Sequence, residues 1–163
     1  MRVLITFPQA LAERALIRLA KFDVAVVPPE TEDDARLLAA LGDAEGVLIT
    51  PRTRVDRSFL SRAPKLRAVS TYSVGLDHID LAAADERGVA VAHTPTVLTD
   101  AVADLVIGLI LMLARRLPEA MPVGASGDWR DVPMGIDPGG KVLFIVGFGR
   151  IGQEVARRAL ASR

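Results

Sequence analysis

Eleven consecutive residues, Val142 to Gly152 (VLFIVGFGRIG), restrict the local fold more than any other part of the chain. Five apolar residues, Val142–Val146, enter Gly147-Phe148-Gly149-Arg150-Ile151-Gly152, a G-x-G-x-x-G, and Gln153–Leu160 continues with helical periodicity. That order predicts a buried strand, a tight turn and an amphipathic helix. Each glycine has a mechanical reason. Gly147 permits the turn off the strand, Gly149 lets a pyrophosphate approach the backbone, and Gly152 lets helix and strand pack closely. The helix start offers unpaired N–H groups and the positive end of its dipole to phosphate. The sequence ends eleven residues after Gly152, so the other strands of such a unit are expected to be missing. A lone strand is not independently stable. Val142, Leu143, Phe144, Ile145 and Val146 would each forfeit roughly 1.5–3 kcal/mol if left unburied. The tail is therefore expected to be disordered, aggregation-prone or paired with another chain.

The first hundred residues alternate short apolar runs with helical patterns. Val3–Thr6, Val24–Val27, Val47–Ile49, Ala68–Ser70 and Val89–Ala92 read as parallel strands, apolar on both faces. Gln9–Ala20, Thr31–Leu41, Asp56–Arg62 and Ile79–Arg87 read as helices, with Thr31 and Asp34 as a capping box and Gly42 and Gly88 at helix ends. This rhythm predicts an open α/β sheet with right-handed crossovers. After Pro95, Thr99 is expected to cap a long helix from Asp100 to about Leu117, apolar nearly all round and so buried on several sides. Pro118–Gly140, rich in Pro, Gly and Asp around a solitary Trp129, reads as an arm with little regular structure.

Composition excludes several function classes. Twenty basic and twenty acidic residues are scattered without a basic patch, which argues against a nucleic-acid partner. Cysteine is absent, which removes disulfides and thiolate metal sites and fits a reducing compartment. The longest apolar stretch, Leu105–Ala114, is shorter than the ~20 residues of a membrane span. MRVLITFPQA reads as a first strand, not a signal peptide. A soluble cytoplasmic protein without a membrane partner is expected.

Two further stretches carry chemistry. Ser70–Asp80 (STYSVGLDHID) follows a parallel strand, where open α/β sheets bind ligands. Its Ser-Val-Gly turn can present N–H groups to a carboxylate. It reads equally as an ordinary turn in which Asp77 or Asp80 caps the next helix. His93–Asp104 runs from a strand end into the long helix, and its spacing favours strand, turn and N-cap. His78 and His93 sit at element edges without a sequence-placed carboxylate partner, and no residue spacing suits a metal. Tyr72 suits a packed aromatic as well as an acid. Arg52 can reach an anionic ligand, although a solvated arginine is its simplest account.

Taken together, YSVGLDHIDL (Tyr72–Leu81), HTPTVLTDAVADLVIGLILMLARR (His93–Arg116) and GKVLFIVGFGRIGQEVARR (Gly140–Arg158) resemble the D-isomer-specific 2-hydroxyacid dehydrogenases. The resemblance runs from about Val47 and is strongest to the glyoxylate/hydroxypyruvate and 2-ketoaldonate reductase branch. It implies a flavodoxin-like substrate domain over 1–98 that lacks its C-terminal return. A connecting helix and dimerisation arm would follow over 99–140, with the start of an NAD(P)-binding Rossmann domain over 141–163. It implies reduction of a small 2-oxo acid with NADPH or NADH, NADPH being favoured, and a homodimer through the 100–117 helix region. Val74 and Gly75 would hold the substrate carboxylate; Arg52 is the further substrate candidate, from its place after the third strand and Pro51 and not from the resemblance. Gly147, Gly149, Arg150, Ile151 and Gly152 would hold the coenzyme pyrophosphate, and Thr99 would lie near the nicotinamide. The family's catalytic arginine, histidine and glutamate, and the residue that separates NAD from NADP, fall beyond Arg163, so no catalytic residue is assigned. A chain of this extent is expected to be inactive alone. The alternatives are a non-catalytic form that pairs with a full-length subunit, or a vestigial remnant.

Overall fold

The computed structural model describes residues 1–28, 35–127 and 130–161. The proposed capping box of Thr31 and Asp34, and Trp129, lie outside the described residues. The backbone forms two compact units, Met1–Thr96 and Val97–Arg163.

In the first unit, β1 (Arg2–Ile5), β2 (Asp23–Val26), β3 (Gly46–Ile49), β4 (Ala68–Thr71) and β5 (Ala90–Ala92) form one parallel sheet, ordered β2-β1-β3-β4-β5. This is the flavodoxin-type order, whose direction reverses between β1 and β3. Each strand lies within two residues of its expected bounds. Successive side chains on a strand face opposite sides, and both sides are covered. Leu4, Val47, Ile49 and Val69 join one core with Leu37 and Leu41 of α2 (Ala35–Leu41) and Leu60 of α3 (Arg57–Arg62). Ala83 and Ala84 of α4 (Leu81–Glu86) complete that core. Ile5, Phe7 and Leu48 pack on the other side with Ala12, Leu16 and Leu19, at and just beyond α1 (Gln9–Arg18).

The short helices begin where a carboxylate serves them. Asp56 accepts from the Phe59 N–H at 2.9 Å and Asp80 from the Ala83 N–H at 2.9 Å. Each bond satisfies an orphan donor of the first turn. Gly88 follows α4 with φ +65°, a conformation that favours glycine.

The second unit departs from expectation in the burial of its long helix, which leaves Leu105, Leu109, Leu111 and Leu113 exposed instead of buried on several sides, and in three further places. Helix α5 spans Thr99–Ala114, with Leu98 at the N-cap and no side-chain cap, so Thr99 is its first helical residue and caps nothing. Leu98 already has near-helical backbone angles, and its carbonyl accepts from the Val102 N–H. The helix stops short of Leu117 because Pro118 has no N–H for the Ala114 carbonyl. The Ile136 N–H bonds that carbonyl instead, at 2.7 Å. Arg116 then turns the chain with φ 50° into α6 (Leu117–Ser126), where an unstructured arm was expected. Pro118 in the first turn suits a helix, since its missing N–H would have no intrahelical partner there.

The third departure is Val142–Val146. The segment forms no strand, and Val142, Phe144 and Val146 are each more than 80% exposed. A strand needs a ladder partner, and none of the described residues supplies one. Helix α7 (Arg150–Ala161) packs along α5, where Ala103 and Val155 are buried. Arg158 binds Asp100 at 2.9 Å, Asp104 at 2.5 Å and Glu154 at 2.5 Å, joining the two helices.

Candidate functional site

The loops at the carboxyl ends of the strands in the first unit are tied to one another. Thr6 Oγ1, just after β1, lies 3.1 Å from Thr53 Oγ1 in the loop after β3, and both residues are buried. The Thr53 N–H closes a turn on the Thr50 carbonyl at 3.0 Å. This turn carries Arg52, which is exposed and makes no ion pair or hydrogen bond among the described residues. The loop after β4 is held to the same region, because the Val55 N–H donates to the His78 carbonyl and the Asp80 N–H to the Val55 carbonyl, each at 2.8 Å. Val74, Gly75 and Arg52 therefore belong to loops leaving two adjacent strands at one sheet edge.

Within the β4 loop, Thr71 Oγ1 lies 2.8 Å from Ser73 Oγ and 2.9 Å from His78 Nε2. Ser73 Oγ donates to the Gly75 carbonyl at 2.7 Å. Burial holds the His78 imidazole below its ordinary pKa, opposed by the Asp77 carboxylate beside it. His93 Nδ1 meets the Val74 carbonyl at 2.9 Å. Among the described residues, the Val74 and Gly75 N–H groups donate to no protein acceptor. Successive backbone N–H groups left open in a turn are the kind of donor that anion-binding nests use. The cap for the next helix is Asp80, so the capping role leaves these amides free. Tyr72 is largely exposed and is not the packed aromatic its type allowed. The spacing gave no signal for the roles of Thr71, Ser73 and the two histidines, because their bonds run to one another and to backbone carbonyls.

In the second unit the glycines stand in the arrangement their motif requires. Gly147 has φ +87°. A Cβ on Gly152 would lie 2.4 Å from the Gly147 carbonyl oxygen, so the helix start closes on the turn. A Cβ on Gly149 would meet nothing within 4 Å, which leaves that face of the loop open to a large group. Arg150 and Ile151 open α7, and the Gln153 N–H donates to the Gly149 carbonyl at 3.0 Å. A tight turn, an open central glycine and a three-turn helix fit a pyrophosphate, which Gly147–Gly152 would hold through backbone N–H groups. Thr99 is not brought to this loop. Its neighbour Asp100 meets Arg158, eight residues past Arg150, about 12 Å along α7. Among the described residues no group of three His, Asp or Glu could hold a metal, and no helix is long and apolar enough to cross a membrane.

A flavodoxin-type sheet with an open amide pair at its carboxyl edge, followed by a glycine loop of the G-x-G-x-x-G type, defines an α/β protein. Residues 3–161 match the D-isomer specific 2-hydroxyacid dehydrogenase catalytic domain, and the chain belongs to that family. It is 46% identical over 133 residues to glyoxylate/hydroxypyruvate reductase B of Yersinia enterocolitica, a match covering 79% of this chain and 40% of that protein. The fold is similar to TT0316 protein from Thermus thermophilus, with TM-score 0.82 and 42% identity, covering 99% of this chain and 53% of that one. It is similar also to NAD-dependent formate dehydrogenase from Staphylococcus aureus, solved in complex with NAD. That match has TM-score 0.82 and 26% identity and covers 97% of this chain and 53% of that one. The chain thus spans about 40% of the length of the curated relative it matches.

Proposed function

We propose that this chain carries two binding elements of a nicotinamide-dependent reductase for small 2-oxo acids. The observation that carries the reading is the pair of open N–H groups at Val74 and Gly75 on the carboxyl edge of the sheet. They hold the substrate carboxylate, and Arg52, on the adjacent loop, adds a positive charge that draws the anion in. Gly147–Gly152 holds the coenzyme pyrophosphate, and Thr99 serves its nicotinamide end. The bound coenzyme supplies the reducing equivalents that convert the 2-oxo acid to a 2-hydroxy acid. The name of the Yersinia relative supports glyoxylate or hydroxypyruvate as substrate, and a 2-ketoaldonate is the alternative that the branch resemblance offers. The nucleotide in the Staphylococcus complex supports NAD, in place of the NADPH that the branch resemblance favoured. The resemblance assigns the groups that donate the proton and orient the carbonyl to residues outside the segment this chain shares with its relatives.

This division of labour predicts that the 163-residue chain leaves NADH and NADPH unoxidised when mixed with glyoxylate. Turnover at the level of full-length relatives would sink it. A second reading, a non-catalytic subunit, is favoured by one observation. Leu105, Leu109 and Leu113 recur at four-residue spacing on α5, and all are exposed. That stripe suits a second copy of this helix or its equivalent in a full-length relative. Co-elution with such a relative supports pairing, and independent elution removes it.

A further inference from the structure

We propose that His93 and Thr94, the two residues that leave β5, are positioning residues that aim the Val74 and Gly75 N–H groups. This deepens the carboxylate reading above and rests on it. In a trans peptide the carbonyl and the following N–H share a plane and point in opposite directions. The described residues include no cis peptide bond. The Ser73 carbonyl therefore sets the direction of the Val74 N–H, and the Val74 carbonyl sets that of the Gly75 N–H.

Both carbonyls are held from behind. The Thr94 N–H and Thr94 Oγ1 each donate to the Ser73 carbonyl at 2.9 Å. His93 Nδ1 lies 2.9 Å from the Val74 carbonyl. A carbonyl only accepts, so Nδ1 carries the proton in this contact. The next carbonyl, that of Gly75, receives the Ser73 hydroxyl at 2.7 Å. Three successive carbonyls are engaged while the two N–H groups between them stay open. A bond at the oxygen also polarises its peptide, so the N–H opposite becomes a stronger donor. Donors fixed before the anion arrives need no reorganisation to bind it. Because β4 and β5 are hydrogen-bonded neighbours, the Ser73 and Val74 carbonyls are held from the end of the adjacent strand, and the Gly75 carbonyl from within the loop.

The test is nuclear magnetic resonance of the isotope-labelled full chain. His93→Leu is expected to move the Val74 carbonyl carbon and the Gly75 amide nitrogen. His93→Asn, which keeps an N–H donor on a side chain of similar reach, should restore them. Thr94→Val should move the Ser73 carbonyl carbon and the Val74 amide nitrogen instead, with restoration in Thr94→Ser. Movement of both sets in every variant, or no rescue by Asn and Ser, overturns the proposal. Titration with sodium glyoxylate forms the second arm. His93→Leu is expected to weaken binding about tenfold and His93→Asn to recover it, the scale of one oriented hydrogen bond. Equal affinity in the wild type and His93→Leu overturns the proposal. If the ligand-free coupling holds but glyoxylate leaves the wild-type amides unmoved, the carboxylate reading fails and the orienting role stands.

Discussion

Thr6 and Thr53 share one buried hydrogen bond, 3.1 Å between their hydroxyl oxygens, at the point where the sheet reverses its strand order. Thr6 Oγ1 also lies 3.3 Å from the Leu48 carbonyl, so it can donate there and accept from Thr53. Thr53→Val should cost about 1–2 kcal/mol, the usual cost of losing one buried neutral hydrogen bond. The double variant Thr6→Val/Thr53→Val should cost less than the sum of the singles. Urea unfolding of the four proteins checks this, and strict additivity would show that the two hydroxyls do not interact.

Gly149 and Gly152 should fail differently when changed to alanine. Gly152→Ala places a methyl 2.4 Å from the Gly147 carbonyl and should disturb the start of α7. Gly149→Ala meets no protein atom within 4 Å, so the fold should survive while nucleotide affinity falls. Circular dichroism and calorimetric titration with NAD separate the two outcomes. Tight binding by Gly149→Ala removes the pyrophosphate assignment.

His78 gives the stability a pH dependence with a definite sign. Burial lowers its folded pKa below the ordinary 6.5, so the unfolded chain binds the proton more readily. The contribution is complete above that value and is lost as pH falls through the folded pKa. Unfolding free energy measured from neutral pH downward should decline, and His78→Gln should flatten the slope in that window. An unchanged slope assigns it to other groups.

Arg158 should be the residue on which the pairing of α5 and α7 most depends. Its guanidinium is held above its ordinary pKa by Asp100 and then Asp104, with Glu154 adding to both. Arg158→Met should leave those carboxylates facing one another and raise amide hydrogen exchange along α7. Protection equal to the wild type would mean that Ala103 and Val155 hold the helices without it.

Leu109 lies in the middle of the exposed stripe on α5. If that stripe pairs with a second copy, Leu109→Glu should convert a dimer to a monomer in sedimentation velocity. A wild-type chain that sediments as a monomer at every concentration contradicts the pairing.

The first unit was legible because its information is local. β-branched and aliphatic runs mark strands, and Asp56, Asp80 and Gly88 sit where helix ends need them. Legibility fell where a residue has two compatible roles. Pro118 stops one helix and starts another, and the second reading requires knowing that Ile136 takes up the Ala114 carbonyl. Val142–Val146 has the composition of a strand, but composition says nothing of a partner. In the candidate site, Val74 and Gly75 stand out through resemblance and turn chemistry. His93 and Thr94 were missed because they act on backbone oxygens nineteen or more residues away, and no spacing rule reports such contacts.

The strand order has a bearing on how the first unit comes into being. β1 is made first and ends in the middle region of the sheet, β2 lines up on one of its sides, and β3, β4 and β5 follow in turn on the other. Every strand after β1 thus meets its neighbour on an edge that already exists when it leaves the ribosome. The sheet can grow in the direction of synthesis, and after β1 no strand has to wait, unpaired, for one that is translated later.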